Sequence, residues 1–394
     1  MIVAASTGLD EHTDAPLDPS LVALAATASL PIDLDDEALD TPAILVDLDI
    51  LDSNIQGMAG IARRAGVALR PHAKSHKSFY VADKQLAAGA VGLCVATVGE
   101  AEAMWQHGVG DILLAYSIVG ERKLERLRPL VDAEVVTLVT DSLEAAEGYS
   151  RLARLMNRRI PVLLEIDTGM HRVGVPPEQA GAVAAQVAAL PGLEVRGILT
   201  HAGHAHDATD QLGIALVARQ EAREMQAARE GLEAQGIEVS VVSAGSTITT
   251  PYLSAADGIT EVRPGTYVYN DLRTLSCFAC TPDQIAATML ATVVSRGPGR
   301  ATINAGSKSI TTSRMTDYGF GRLLGSPGTS FSRLSEEHGV LSLAPEDENL
   351  RVGDRVRLLP IHICVWMDLQ REIYGIREGR VVERIRVDAM RRSL

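Results

Sequence analysis

The chain has 394 residues, of which 46% are hydrophobic and 22% charged, a balance that excludes a disordered chain and allows two or three domains, or one large barrel with an attachment. A formal net charge of −13 and the lack of any Lys/Arg-rich run exclude nucleic acid as a partner. The four cysteines are too few for a disulfide framework, the N-terminus has no basic n-region, and the apolar stretch Leu21–Ile32 is too short to span a bilayer, so the expectation is a cytoplasmic protein without membrane association.

Residues 1–40 are acidic and rich in Ala, Asp and Leu, and predict an arm or segment that packs on a β domain. From Thr41 onward, short apolar runs alternate with Ala-rich amphipathic stretches. Eight strands are predicted: Val67–His72, Val91–Ala96, Asp111–Ser117, Val135–Asp141, Pro161–Asp167, Val195–His201, Val239–Ala244 and Glu261–Tyr269. Helical patterns lie between them at 79–90, 99–108, 142–157, 176–190 and 211–230. The fold class that follows is α/β, a (β/α)8 TIM-type barrel over residues 41–270 with its site at the C-terminal strand ends. After about Asn270 the helical period disappears, and runs such as QIAATMLATVVSR and VRLLPIHICVWMDL predict a β-rich C-terminal domain over 271–394.

Most of the polar clusters fall just past strand ends. Lys74, in PHAKSHKS after the first strand, has the chemistry of a Schiff-base nucleophile if burial or nearby cations lower its pKa; position alone leaves a solvated surface lysine equally open. SAGSTITT, after the seventh strand, offers small residues and hydroxyls whose backbone N–H groups can hold a phosphate, or an ordinary capped turn. EIDTGMHRVG, after the fifth, brings Glu165, Asp167 and Arg172 to the barrel mouth, where Arg172 can face a ring nitrogen or a carboxylate, or form a structural ion pair.

In THAGHAHD the spacing of His201, His204 and His206 matches no common metal motif, whereas His201 can stack on a planar cofactor. His362 and Cys364 stand two apart in a strand-like run, so they share a face and can share a cation, zinc best; a buried His and Cys of a β core is the alternative. The Cys277-x-x-Cys280 pair has no second pair and no redox context, and is taken as structural.

The segments TPAILVDLD, RPHAKSHK, EIDTGMHRVG, THAGH, SAGST, EVRPGTYVYND, NAGSKSIT, EEHG and the His-x-Cys occur in one order. Together they resemble the D-serine dehydratase and D-threonine aldolase group of fold-type III pyridoxal-phosphate enzymes, the alanine-racemase-like barrels, over residues 41 to the C-terminus. The resemblance implies that Lys74 is the Schiff-base lysine. It assigns Gly245, Ser246 and Thr247 to the cofactor phosphate, places Arg172 and His201 near the pyridine ring and Tyr267 among the cofactor-binding residues, and makes His362 and Cys364 the ligands of a divalent metal, zinc first and manganese second.

It also implies a homodimer and a lyase acting on D-3-hydroxy amino acids. Cys364 leans toward the dehydratase, which eliminates water to give a 2-oxo acid and ammonia; retro-aldol cleavage to glycine and an aldehyde is the alternative. Leu199, where the dehydratase pattern has an aromatic residue, and Ile361, Val365 and Trp366 in the metal segment depart from that pattern and flank the substrate pocket. A non-catalytic cofactor-binding protein of the same barrel would need no His-x-Cys, and a cofactor-free metal hydrolase would be colourless.

Overall fold

The computed structural model describes residues 31–392, so most of the arm expected over 1–40 lies outside the described residues. Eight parallel strands, Ala68–Leu69, Leu93–Val95, Ile112–Ser117, Val136–Thr140, Ile160–Ile166, Leu193–Thr200, Val241–Ala244 and Glu261–Val262, form one sheet in the spatial order one, eight, seven, six, five, four, three, two. The sheet closes on itself through a parallel bridge between His72 and Cys94, where the Cys94 N–H donates to Pro71 O at 2.8 Å. Side chains alternate across each strand. Cys94, Leu113, Ala115, Val139, Leu163 and Leu199 pack the lumen, while Leu93, Val95, Ile112, Leu114, Leu138 and Val162 face a layer of helices. The barrel is therefore a packed core with its open end at the strand C-termini.

Two expectations about this unit change. The eighth strand ends at Val262 rather than reaching Tyr269, because Pro264 has no N–H to extend the ladder and Thr266–Val268 turns into a 3-10 helix. The helices also do not follow one per strand. Strand seven is followed only by 3-10 turns at Thr250–Tyr252 and Ala255–Asp257, and the helix Leu48–Ala65 ahead of strand one packs beside that strand and the Thr250 and Thr266 turns. That helix has plain causes. Asp47 caps it by accepting from the Asp49 and Ile50 N–H groups, Gly66 stops it at φ 70°, and Leu48, Leu51, Ile55, Met58, Ala59 and Ala62 line its buried face.

The second unit is antiparallel. Strands Ala287–Gly297, Arg300–Ile303, Gly339–Ser342, Ser326–Leu334, Gly321–Leu323 and Arg355–Pro360 close into a six-stranded barrel, because the first also pairs with the last. Ala287–Gly297 carries the sheet onward to Ala43–Asp47, Glu372–Arg377, Arg380–Arg386 and finally Ile32–Asp33. Ala43–Asp47, expected within the barrel domain, is thus an interior strand of the second sheet. It is antiparallel to Ala287–Gly297 and parallel to Glu372–Arg377, and its apolar AILV run is buried, a pattern that does not distinguish the two sheets.

The chain continues from Arg355–Pro360 not as a strand but into the helix Ile363–Leu369. This helix packs on the 3-10 turn Ala73–Ser75 that bears Lys74, so the second unit forms a wall of the barrel mouth. Among the described residues no helix is long and apolar enough to cross a membrane.

Candidate active site

A cavity of about 570 Å³ opens where the barrel strands end against the helix Ile363–Leu369. A larger one, about 760 Å³, lies around the opposite strand ends. There Arg70 is satisfied by Asp111 and Glu261, and no lysine, histidine or cysteine lines the space. The chemistry is at the C-terminal mouth.

Lys74 lines this mouth on a tightly fixed turn. Its backbone N–H faces His72 Nδ1 at 3.5 Å, and the His76 and Lys77 N–H groups both donate to Ala73 O. His76 is fully buried between Ser78 O and Gln85 Oε1, each at 3.1 Å. Lys77 turns away to Asp368 at 2.5 Å and Glu100 at 3.2 Å, leaving Lys74 as the unpaired amine of the segment among the described residues. Burial first, then the positive charges of Lys74 and Arg263, hold His72 and His201 well below the usual histidine range. Both rings are neutral at physiological pH.

Gly245, Ser246 and Thr247 line the cavity opposite. Gly245 has φ 79°, and a Cβ there would lie 2.8 Å from Thr250 Oγ1 and 3.2 Å from Val262, so the chain can turn at this point only without a side chain. The Ser246 hydroxyl faces the Ile248 and Thr249 N–H groups at 3.3 Å, and Thr247 Oγ1 accepts from the Gly265 and Tyr267 N–H groups. The hydroxyls thus hold the loop, while the backbone N–H groups of Thr247 and Thr266, both lining the cavity, have no acceptor among the described residues. That is a nest suited to phosphate.

Strand alternation puts Arg263 on the lumen face two residues beyond Glu261. Its guanidinium is buried under the cavity, donating to Ser243 Oγ at 2.6 Å and to Thr200 O. Glu165 and the exposed Arg172 lie on the neighbouring wall. Burial raises the Glu165 carboxyl to about 7, although the Arg263 and Arg172 charges oppose this.

His362 and Cys364 line the cavity on the wall supplied by the second unit. The strand-like reading of their segment is corrected: His362 caps the helix Ile363–Leu369, and Cys364 lies in its first turn. They still line the same cavity. Burial disfavours the Cys364 thiolate, but the nearby His362 charge, Ser75 and Lys74 outweigh burial and lower its pKa. Cys364 Sγ lies 3.3 Å from Ser75 Oγ, next to Lys74 in the chain. Behind His362, the fully buried Asp271 accepts from the Ile363 N–H at 3.1 Å and places Oδ2 3.7 Å from His362 Nδ1, a nitrogen without a hydrogen-bond partner.

Known proteins share this pairing of two domains. The alanine racemase N-terminal domain model matches residues 46–272, and the putative serine dehydratase domain model matches 286–376. The D-threo-3-hydroxyaspartate dehydratase of Delftia sp. (strain HT23) is 36% identical over 83% of this chain and 91% of its own. The D-threonine aldolase of Arthrobacter sp. is 31% identical over 88% of this chain and 91% of its own. A solved structure of a cysteine-to-alanine mutant of D-threo-3-hydroxyaspartate dehydratase in the metal-free form superimposes with a TM-score of 0.82 at 32% identity, covering 88% of this chain and 97% of that one. The chain belongs to the alanine-racemase-like, fold-type III pyridoxal-phosphate family.

The residues present fit what that family carries. An unpaired lysine, a nest of free N–H groups and a buried guanidinium surround a space adequate for a planar phosphorylated ring. An imidazole beside a thiolate-prone cysteine is a soft donor pair suited to zinc, and two protein donors leave coordination positions open.

Of the residues marked in the sequence, Lys74, Arg172, His201, Gly245, Ser246, Thr247, His362 and Cys364 all line the one cavity. Tyr267 does not. Its side chain is buried behind the loop, with its hydroxyl accepting from Gln85 Nε2 at 3.0 Å, because the 3-10 turn at Thr266–Val268 breaks the strand alternation; only its N–H supports Thr247. His204 keeps a buried, unpartnered Nδ1, and His206 Nδ1 lies 3.4 Å from Cys277 Sγ. The sequence reading missed Arg263, Asp271 and Arg273. Arg263 carries a usable signal, two residues from Glu261 at a strand end; Asp271 and Arg273 lie at the cap and in the first turn of the short helix Leu272–Ser276, beyond the strand-end pattern that marked the other residues.

Proposed function

We propose that the chain is a lyase for D-3-hydroxy amino acids that uses pyridoxal phosphate and a divalent metal, zinc first and manganese second, and removes water to leave a 2-oxo acid and ammonia. The observation that carries this reading is the 3.3 Å approach of Cys364 Sγ to Ser75 Oγ, which sets the imidazole and thiol pair beside the turn of the lysine amine in one cavity. Bound there, pyridoxal phosphate supplies an electron sink for charge at the substrate Cα, and the metal supplies Lewis acidity toward the β-hydroxyl.

The chain's own groups do the rest. Lys74 would hold the cofactor, and its amine, free at the mouth, would be the base for the substrate Cα proton. Neutral His72 and His201 lend polar contacts without adding charge next to that amine. Thr247 and Thr266 N–H groups hold the phosphate, and Arg172 faces the ring. His362 and Cys364 hold the metal, with Asp271 orienting the imidazole.

Product analysis tests the reading. Chain loaded with pyridoxal phosphate and zinc is expected to release pyruvate from D-serine and 2-oxobutyrate from D-threonine; glycine with acetaldehyde from D-threonine would mean aldol cleavage instead. Lys74→Ala is expected to lose activity and the visible absorption of the bound cofactor, and an active Lys74→Ala protein overturns the assignment. Full activity after exhaustive chelation overturns the metal role.

A further inference from the structure

Lys77 stands three residues after Lys74 and borders the same cavity, with only 9% of its side chain exposed. Its backbone is left-handed, φ 50°, a conformation that a residue with a side chain keeps only where its surroundings hold it. Nζ lies 2.5 Å from Asp368 Oδ1 and 3.2 Å from Glu100 Oε1, and these carboxylates come from different parts of the molecule. Glu100, 2% exposed, is on the helix Val98–His107 after the second barrel strand, where its Oε2 accepts from the Ala96 N–H at 2.8 Å. Asp368 is on the helix Ile363–Leu369 of the second unit, and its Oδ1 also accepts from the Arg391 N–H at 2.9 Å.

Two ties therefore join the turn of Lys74 to the helix of the metal pair: Ser75 with Cys364, and Lys77 with Asp368. Cys364 and Asp368 are four residues apart, so they lie on one face of that helix. The ties are not equivalent. A metal takes a cysteine as its thiolate, which has no proton to donate, so the donation from Cys364 to Ser75 ends on loading. The lysine and aspartate pair takes no part in coordination and persists. We infer that Lys77 is a positioning residue that, through Asp368, sets the helix carrying His362 and Cys364 against Lys74. The inference rests on the metal role proposed above. An ion pair that only supports the fold leaves metal affinity alone, and plain electrostatics has a cation's removal tighten a divalent site. Positioning has the opposite sign, because a helix released from the turn presents its two donors less well aligned.

Lys77→Met alone would strand the buried Glu100 charge, so the test uses Lys77→Met combined with Glu100→Gln, with Glu100→Gln as its control. Asp368→Asn cuts the same tie from the other side. Zinc dissociation constants of the proteins loaded with pyridoxal phosphate are read by competition with a chromophoric chelator, and cofactor dissociation constants by absorbance titration. The zinc constant should rise about 10- to 100-fold over the control in the double variant and in Asp368→Asn, while the cofactor constant stays put. Adding Asp368→Asn to the double variant should cost nothing further, because Asp368 acts through Lys77. Unchanged or tighter zinc binding in the double variant overturns the inference, and so does a further loss in the triple variant, which would mean that Asp368 acts by its own charge. Equal losses of zinc and cofactor overturn it too, since Lys77 would then serve the fold alone. Wild-type protein that takes up no zinc overturns the proposed metal role itself, and this inference with it.

Discussion

Glu221 Oε1 accepts a hydrogen bond from the Gly245 N–H at 3.0 Å, while the other oxygen of the same fully buried carboxyl group has no hydrogen-bond partner among the described residues. One side chain of the long helix Gln211–Glu233 therefore anchors the start of the loop of Ser246 and Thr247. Glu221→Ala strands the buried Gly245 N–H, at about 1–3 kcal/mol, and loosens this loop. The expected outcome is a cofactor dissociation constant raised about tenfold or more by absorbance titration, with Glu221→Gln, which keeps an acceptor, close to wild type. An unchanged constant in Glu221→Ala would show that the loop holds itself.

A string of polar groups runs through the barrel lumen: Arg263 donates to Ser243, Ser243 to Glu261 at 2.6 Å, and Arg70 to Glu261 at 2.6 Å and to Asp111 at 2.8 Å. Arg70 and Glu261 are nearly buried, with side chains 12% and 8% exposed. Arg70→Met leaves the Glu261 charge without its partner, a loss of about 3–5 kcal/mol for a broken buried pair. Thermal unfolding of this variant should begin roughly 10 °C lower. A melting curve that overlays the wild type would mean that Glu261 takes up a proton and needs no cation.

Asp271 stands 3.7 Å from His362 Nδ1, too far for a hydrogen bond yet close enough to orient the ring. Asp271→Asn keeps the shape and removes the charge. Metal affinity, read by competition with a chromophoric chelator, should fall about 10- to 100-fold, while the fold, read by circular dichroism, stays intact. Equal affinity in both proteins would place Asp271 outside the metal's support.

The Glu165 carboxyl, raised by burial to about 7 from an ordinary 4.5, makes stability depend on pH. The folded chain binds a proton across this interval that the unfolded chain has released, so the group's stabilisation is whole below the unfolded value and is lost as pH rises through the folded one. Between pH 5 and pH 8 the cofactor-free protein should lose on the order of 1–3 kcal/mol relative to Glu165→Gln. Denaturant titrations of both proteins at the two pH values measure this, and parallel behaviour would show that Glu165 is ionised like a surface carboxylate.

What the sequence could and could not tell follows from where periodicity exists. The eight strand positions were legible because apolar runs recur between amphipathic helices, and strand ends then pointed to Lys74, His201 and the Gly245 loop. Helix Leu48–Ala65 was not among the predicted helices, although Asp47 before it is a start signal and Gly66 after it a stop signal. The segment Ile363–Leu369 misled because Ile, Cys, Val and Trp favour strands. Tertiary structure overrides that preference, with the Asp271 carboxylate taking the Ile363 N–H and with Trp366 and Met367 fully buried. Tyr267, assigned to the cofactor by the family resemblance, has its side chain behind the loop because the chain leaves the strand at Val262 and turns at Thr266–Val268.

The interior place of Ala43–Asp47 in the second sheet bears on how the chain can be made. Its neighbours on either side begin at Ala287 and Glu372, so a ribosome releases this strand long before anything can pair with it. The eight-stranded barrel can close while the AILV run waits uncovered, and the late-emerging half has no central strand of its own. Neither half is a separable folding unit. Completing the mouth waits until the segment after Arg386 has returned, where the Ala389 N–H meets Lys77 O and Thr97 Oγ1 meets Arg392 O.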